Sequence, residues 1–206
     1  MSIDDAPLPE ESILVLHEIR LRGVLDAPPA EHGEILVARG YLERRGARTV
    51  LTTRGRELHE AWVRVEVGSQ SERRITSVYE HFRPLNTQLL DVSTAWQVRP
   101  GNVANDHSDP AYDWSVIDRL VALDERAGPL VARAGDALAR FAAYRPRLRQ
   151  ARRRVEEGEH DWFLSPRCDS YHTVWMQLHE DLLLALGIPR GDEAPRGRPW
   201  QDSSRS

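Results

Sequence analysis

The sequence predicts a mainly α protein with a small N-terminal module of helices plus one β-hairpin, followed by a C-terminal helical bundle. Three observations support this fold class. Apolar residues recur at helical spacing through most of the 206 residues. Only residues 41–53 are rich in strand-forming side chains around a glycine. From Ile75 to Trp96 the apolar residues are spaced alternately by three and four, which indicates a long helix packed along a partner.

The N-terminal module is expected to begin with two helices. Residues 1–10 are predicted to form a flexible tail. A first helix is predicted over 11–22, because apolar residues line one face and Gly23 suits the position after a helix. A second helix is predicted over 30–39, because two prolines suit its start and a glycine follows its end.

A hairpin and a third helix complete this module. Residues 41–53 indicate two short strands joined by a turn at Gly46, since aromatic and β-branched residues favour strands. The helical pattern resumes at Thr53 and extends to about Gly68. The module therefore spans residues 11–67, and the helical bundle spans 68–189.

The first helix of the bundle carries the clearest pattern. Its apolar residues form a heptad seam: Ile75, Val78, Phe82, Leu85, Leu89, Val92 and Trp96. Pro84 is expected to kink or break this helix near Arg83. A seam of this length predicts a homodimer, although another helix of the same chain can also cover it.

The remaining helices are predicted from caps and breakers. Asp113 is expected to cap a helix that Gly128-Pro129 ends. Two further helices are predicted over 130–143 and 146–157. Asp169 is expected to cap the last helix. The apolar face of that helix consists of Tyr171, Val174, Leu178, Leu182 and Ala185. A Gly and Pro pair ends it, and residues 190–206 are predicted to be a disordered tail.

Composition excludes several classes of function. No stretch is apolar enough to span a bilayer, and the acidic N-terminus does not resemble a secretory signal, so we expect a cytoplasmic protein without a membrane partner. The single cysteine, Cys168, excludes an internal disulfide. All 28 basic residues are arginine, which excludes Schiff-base lysine chemistry. The net charge of −4 argues against general nucleic-acid binding but allows a local basic patch.

The hairpin region contains Gly40-Tyr41-Leu42, then an arginine-rich hairpin, then Leu51-Thr52-Thr53-Arg54-Gly55 at the start of the next helix. On this pattern, residues 11–60 resemble the winged-helix domain of MarR-type bacterial regulators. In that family the hairpin is a wing that contacts DNA. The resemblance therefore implies DNA binding by Arg39, Arg44, Arg45, Arg48 and Arg54.

The helix-turn-helix of this module is truncated. Only 16 residues separate Gly23 from Gly40, whereas two helices and a turn need about 20. The remaining helix carries Glu31 and Glu34, which would repel phosphates. The alternative is that this module is a relic used for packing or dimerisation.

The helical region resembles one that follows a winged helix in some actinobacterial proteins, alone or attached to pyruvate phosphate dikinase-like chains. The segments that carry this resemblance are N-D-H-x-D-x-x-Y-D at 105–113 and two segments rich in His, Asp and Trp at 160–163 and 169–183. The resemblance supports the domain division and implies no particular activity.

Three segments, 82–99, 105–114 and 160–180, each combine tryptophan with hydrogen-bonding and titratable side chains. This mixture is typical of concave ligand sites, so we expect the segments to converge on one cavity that binds a small anionic or aromatic molecule. The alternative is a network of helix caps and packing contacts. The ligand-binding candidates are Trp96, Arg99, Asn105, His107, Asp109, Tyr112, Trp114, Asp161, Trp162, Arg167, Tyr171, His172, Trp175 and His179.

If the cavity is an active site, the acid–base candidates are His107, Asp109, His172 and His179. His172 and His179 are two helical turns apart, about 10 Å along the axis, which is too far for one metal ion. We therefore predict no metal and no other cofactor.

Three functions remain open from the sequence. The first is a homodimeric, ligand-responsive winged-helix transcriptional regulator whose helical domain senses a small molecule. The second is an enzyme of specialised metabolism that uses a degenerate winged helix as a scaffold. The third is a protein that binds a partner without catalysis.

Overall fold

The computed structural model describes residues 7–23, 25–26 and 28–192, and within them the protein is mainly α, as predicted. The elements in chain order are α1 (Glu10–Arg22), α2 (Ala30–Ala38), β1 (Leu42–Arg45), β2 (Arg48–Leu51), α3 (Thr53–Val63), α4 (Gln70–Gln97), β3 (Val98–Arg99), β4 (Val103–Ala104), α5 (Pro110–Ala137), α6 (Tyr144–Glu156), α7 (Asp161–Leu164) and α8 (Tyr171–Leu186). Short 3-10 turns cover Ala139–Ala143 and Arg190–Asp192.

The chain forms two compact units. The first contains the described residues up to Arg64 together with those from Leu183 onward, and the second contains Val65–Leu182. The sequence predicted a boundary between two units near residue 67. It did not indicate that the end of α8 groups with the first unit. Each unit is described separately below.

The first unit is built around a leucine-rich core. Its buried centre includes residues of α1, α2 and both hairpin strands, namely Val15, Leu16, Ile19, Leu36, Leu42 and Leu51. Gly23 ends α1 with a φ of 79°, and Gly46 provides the hairpin turn with a φ of 64°. Helix α2 is the one helix between α1 and the hairpin in the described residues, so this unit has the shortened layout that the spacing predicted.

Helix α3 begins against the backbone of Tyr41. Thr52 caps the helix: its Oγ1 accepts a hydrogen bond from Gly55 N at 3.0 Å and donates to the Gly40 carbonyl at 2.7 Å. A Cβ at Gly55 would lie 2.1 Å from the Tyr41 carbonyl oxygen. The Leu-Thr-x-x-Gly pattern therefore has a local physical reason, because only glycine allows this approach.

Helix α3 is shorter than predicted. It ends at Val63, whereas the sequence indicated helix to about Gly68. Gly68 has a φ of 78°, and Ser69 then caps α4 by accepting a hydrogen bond from Glu72 N at 3.0 Å. The apolar periodicity of the sequence continues across this turn, so the periodicity did not indicate where α3 ends.

The seven heptad residues of α4 are all buried, and α4 packs along α5 of the same unit. The heptad seam is thus covered within a single chain, and it does not support the predicted homodimer. Of the kink or break predicted at Pro84, the break does not occur, because α4 continues from Gln70 to Gln97. Seven buried side chains on one face outweigh the single backbone hydrogen bond that the proline removes.

The predicted break at Gly128-Pro129 is also wrong. Helix α5 is continuous from Pro110 to Ala137, and residues on both sides of Pro129 are buried, including Leu123 and Val131. The separate helix predicted over 130–143 is accordingly the end of α5 followed by a 3-10 turn. The cap also differs: Asp109, not Asp113, accepts a hydrogen bond from Tyr112 N at 3.2 Å.

A small hairpin that the sequence did not predict connects α4 to α5. Strands β3 and β4 pair antiparallel, with Val98 opposite Ala104 and Arg99 opposite Val103. Asn105 N continues the pairing by donating to the Gln97 carbonyl at 2.8 Å. Two residue pairs are too few for a period-2 pattern, but they bring the segment after β4 back to the end of α4.

The cap of the last helix is one residue later than predicted, and α8 begins at Tyr171. Ser170 Oγ accepts a hydrogen bond from Thr173 N at 3.2 Å, whereas Asp169 pairs with Arg147. The predicted apolar face of α8 is buried as expected. Residues 190–192 form a turn, and the rest of the predicted tail lies outside the described residues, as do residues 1–6.

No helix among the described residues combines the length and the apolar character that crossing a membrane requires.

Candidate functional site

A polar cluster lies at the C-terminal end of α4 and is centred on His107. His107 Nδ1 lies 3.0 Å from Asp113 Oδ2, and Asn105 Nδ2 donates to Asp113 Oδ1 at 2.8 Å. The same amide donates to the Trp96 carbonyl at 3.0 Å. The Asp113 side chain is only 6% exposed. Two neighbouring groups therefore hold both oxygens of this buried carboxylate.

Aromatic rings enclose one side of this cluster. The Trp96 ring centroid lies 4.5 Å from that of His107, 5.2 Å from that of His160 and 4.7 Å from that of Phe163. The two imidazoles are themselves 5.1 Å apart between centroids. His160, immediately before α7, is exposed, whereas Trp96 is buried. The site is thus open on the His160 side and apolar on the other.

An arginine and an acid form the neighbouring wall. Arg99 Nη2 donates to Asp109 Oδ2 at 2.8 Å, and its guanidinium lies 5.0 Å from the centre of the Tyr112 ring. The Tyr112 hydroxyl donates to the Ala95 carbonyl at 2.8 Å. In the same loop, hydrogen bonds from Ser108 lower the pKa of the exposed Asp106. These bonds fix the loop around the cluster.

The hydrogen bonds determine which ring nitrogen of the His107 imidazole is available. His107 Nδ1 faces a carboxylate oxygen, so a proton on Nδ1 would be donated to Asp113. In that tautomer Nε2 is the acceptor. His107 also has a φ of 58°, a conformation that non-glycine residues adopt rarely and that clusters at functional sites. An imidazole oriented in this way is suited to accept a proton or to bind a cation.

The structure brings together six of the ligand-binding candidates: Trp96, Arg99, Asn105, His107, Asp109 and Tyr112. Sequence reasoning missed two members of the same cluster. The sequence predicts a helix cap at Asp113 and includes His160 only within the segment 160–180. Asp113 is close to His107 in the sequence and lies one turn inside α5, and this proximity was the signal that could have placed it in the cluster. No comparable signal pointed to His160.

The expected convergence on a single cavity is wrong for the candidates on α8. Trp175 donates from Nε1 to Asn86 Oδ1 at 3.0 Å and stacks on Phe82, and His179 also packs on Phe82. Phe82 and Trp96 are 14 residues apart on α4, which corresponds to about 21 Å along the helix axis. These residues therefore form a separate, buried packing group.

Tyr171 belongs to a third group, built around a buried acid. Its hydroxyl donates to Asp124 Oδ1 at 3.2 Å, and Arg145 Nη1 donates to the same oxygen at 2.7 Å. Arg152 also lies 3.5 Å from Asp124. Burial, followed by the neighbouring carboxylate, raises the pKa of Tyr171 well above its usual value. Tyr171 is thus a hydrogen-bond donor in the core of the bundle.

The remaining candidates are Trp114, Asp161, Trp162, Arg167 and His172. Trp162 is covered by Arg154, whose guanidinium is 5.4 Å from its ring centre, and Trp114 is 50% exposed. Asp161 and Arg167 are exposed. His172 is partly buried, and this burial lowers its pKa.

The arginine candidates of the first unit lie on or beside the β-hairpin. Arg44, Arg45 and Arg48 are exposed. Arg44 pairs with Glu34 of α2, and Arg45 pairs with Glu43. Arg54 covers the Tyr41 ring at 4.8 Å, and Arg39 forms the C-terminal cap of α2.

A cleft of about 260 Å³ lies between α2 and the hairpin. Its polar lining is mixed in charge, since Arg44, Asp26 and Glu34 all contribute to it. The lining residues are Asp26, Pro28, Ala30, Gly33, Glu34, Val37, Arg44, Gly46, Ala47 and Thr49.

No family model, no curated protein and no solved structure matches this chain.

Proposed function

We propose that this protein is a ligand-responsive transcriptional regulator that contacts DNA through its β-hairpin and binds a small ligand in its helical unit. The observation that carries the proposal is the set of three exposed arginines, Arg44, Arg45 and Arg48, on a short hairpin. Such side chains suit contacts with phosphate oxygens.

The pairing within the hairpin favours a definite arrangement of these arginines. Arg45 and Arg48 are directly opposite each other at the turn, and Arg44 is opposite Thr49. Opposite residues of an antiparallel pair lie about 5 Å apart, so the two arginines form a compact positive tip. Glu34 and Glu43 pair with Arg44 and Arg45 at exposed positions, where ion pairs contribute little and can exchange for phosphates.

Helix α2 argues against detailed readout of base sequence. It has nine residues, its exposed side includes Glu31 and Glu34, and no second helix precedes it between Gly23 and Ala30 in the described residues. Acidic side chains at these positions repel the DNA backbone. The proposed contact is therefore mainly with phosphates and is weakly selective for sequence.

The helical unit offers the ligand site at the His107 cluster. It combines an apolar wall, Trp96 and Phe163, with the polar groups of His107 and Arg99. This mixture matches the lining of small-molecule sites. A small anionic or aromatic molecule would bind on the exposed His160 side of this wall and accept hydrogen bonds from the polar groups.

A salt series of DNA binding tests this function. Fluorescence anisotropy with labelled duplexes of unrelated sequence should show binding at low salt. The logarithm of affinity should fall with the logarithm of salt concentration with a slope of about −2.7, for three phosphate contacts. Similar affinities for all duplexes are expected. Absence of binding at low salt, or affinity that does not change with salt, would contradict the proposal.

An enzyme is the second candidate, and one observation favours it. Asp113 orients His107 so that Nε2 is the proton acceptor, which is the geometry of a general base. Hydrolysis of the activated ester p-nitrophenyl acetate is a simple probe. A catalytic base predicts that His107→Gln removes the hydrolysis and that His81→Gln, at an exposed position on α4, leaves it unchanged.

A further inference from the structure

The geometry points to a binding site for a divalent first-row transition-metal ion, such as Zn²⁺, formed by His107, Asp113 and His160. One potential ligand atom from each of these side chains lies within 4.8 Å of those from the other two. The inference goes beyond the proposed function and does not depend on it, because a metal ion can bind here whether or not the hairpin contacts DNA.

Three separate segments bring these ligands together. His107 lies in the loop after β4, Asp113 lies in the first turns of α5, and His160 immediately precedes α7. Tetrahedral zinc ligands lie about 3.4 Å apart when each bond is about 2.1 Å. The His107 Nδ1 to Asp113 Oδ2 distance of 3.0 Å approaches this value, and a metal ion bound between these two atoms would replace the hydrogen bond and release its proton. His160 is exposed, so its side chain can rotate to close the remaining gap.

The donor set selects the class of ion. Two imidazoles and one carboxylate suit zinc and its neighbours, whereas Mg²⁺ and Ca²⁺ prefer sites made of oxygen donors. Three protein ligands leave one coordination position open, as in catalytic rather than structural zinc sites.

The charge balance of the cluster also favours a cation. The Asp113 carboxylate is buried, and its hydrogen-bond partners among the described residues are the Asn105 amide and the His107 imidazole. The nearby Arg99 pairs with Asp109 instead. A buried carboxylate is costly without a compensating charge, and a metal ion would supply it.

Neighbouring groups would hold the ligands in place. Asn105 fixes Asp113 Oδ1, which leaves Oδ2 directed at His107, and the Trp96 ring packs against both imidazoles. Hydrogen bonds and packing around the ligands are typical of metal sites and contribute to their affinity.

Titration of the full, untagged, chelator-treated chain with ZnCl₂ tests the inference by calorimetry. We expect binding of one ion per chain, and Co²⁺ should give the visible absorption of a four- or five-coordinate site with imidazole ligands. His160→Ala changes an exposed residue and should weaken Zn²⁺ binding by at least about 100-fold, as should Asp113→Asn; loss of supporting groups alone weakens such sites by 10–100-fold.

His81→Ala is the matched control, because it removes an exposed histidine on α4 away from the site. It should leave Zn²⁺ affinity unchanged. The inference is overturned if the chain binds no Zn²⁺, or if His160→Ala binds Zn²⁺ as tightly as His81→Ala does. Mg²⁺ competing as well as Zn²⁺ would also overturn it. Because the titration uses metal alone, its outcome is separate from that of the DNA-binding experiment.

Discussion

Gly128 of α5 lies directly against the guanidinium of Arg145, and a Cβ at position 128 would be 2.7 Å from Arg145 Nη2. The same guanidinium donates from Nη1 to Asp124 Oδ1 at 2.7 Å. Glycine inside a helix is less stable than alanine by about 1 kcal/mol. Its presence here is explained by the room that it leaves for a buried ion pair.

The first prediction is that Arg145 determines the sign of the change in the free energy of unfolding caused by Gly128→Ala. In the natural sequence the added methyl group displaces the guanidinium, so the free energy of unfolding should fall by about 1–2 kcal/mol. In an Arg145→Ala background the same change should be neutral or should stabilise by up to about 1 kcal/mol. Urea denaturation of the four proteins measures this. Equal effects in both backgrounds would disprove the coupling.

The second prediction concerns Asp124, which is buried among two arginines and Tyr171. Asp124→Ala should lower the free energy of unfolding by about 3 kcal/mol, because it leaves the arginines and the tyrosine hydroxyl without their acceptor. Glu125→Ala, at the adjacent exposed position, is the control and should change it by less than about 0.5 kcal/mol. Chemical denaturation compares them. Similar losses for both variants would contradict the assignment.

The third prediction concerns Gly55 at the start of α3. Gly55→Ala should destabilise the first unit by about 3 kcal/mol or more, since the Cβ would meet the Tyr41 carbonyl, a backbone group that cannot rotate away. Arg56→Ala, at the next and exposed position, should have little effect. Hydrogen exchange of the hairpin and α3 amides reports on this unit. Unchanged protection in Gly55→Ala would show that the contact is not tight.

The fourth prediction is a pH dependence from His172. Burial lowers its pKa in the folded protein, so the unfolded chain binds a proton more readily. Stability from this group is therefore present above the unfolded pKa, about 6.5, and is lost as the pH falls through the folded pKa. The free energy of unfolding of His172→Gln should decrease less between about pH 7.5 and about pH 5 than that of the natural chain. Equal decreases would exclude this role.

Sequence patterns predicted much of the fold because its local signals are strong. Gly23 and Gly46 adopt the positive φ angles that ended α1 and formed the hairpin turn. The breaks predicted at Pro84 and Pro129 fail because tertiary burial along α4 and α5 outweighs one lost backbone hydrogen bond at each proline. Local propensity contains no information on that burial.

The candidate site was predictable only in part. Trp96 to Tyr112 form a nearly continuous stretch, so their shared chemistry was visible in the sequence. His160 joins them through tertiary packing, and Asp113 looked like a helix cap because Asp is a common cap. Trp175 and His179 of α8 are the same residue types as those of the site, but they pack in a separate group around Phe82. Composition alone does not distinguish the two.

The proposed DNA-binding surface can be tested most directly by removing its charge. The variant Arg44→Ala/Arg45→Ala/Arg48→Ala loses three exposed arginines of the hairpin. Its control, Arg119→Ala/Arg149→Ala/Arg153→Ala, loses three exposed arginines of the helical unit and has the same net charge.

Anisotropy titrations of both variants over a salt series give the decisive comparison. The hairpin variant should bind every duplex much more weakly. Its salt slope should be close to zero, because about 0.9 is lost for each of the three phosphate contacts. The helical-unit control should retain the slope of the natural chain. The account is contradicted if the hairpin variant binds DNA with the natural affinity and slope, or if the control loses as much as the hairpin variant.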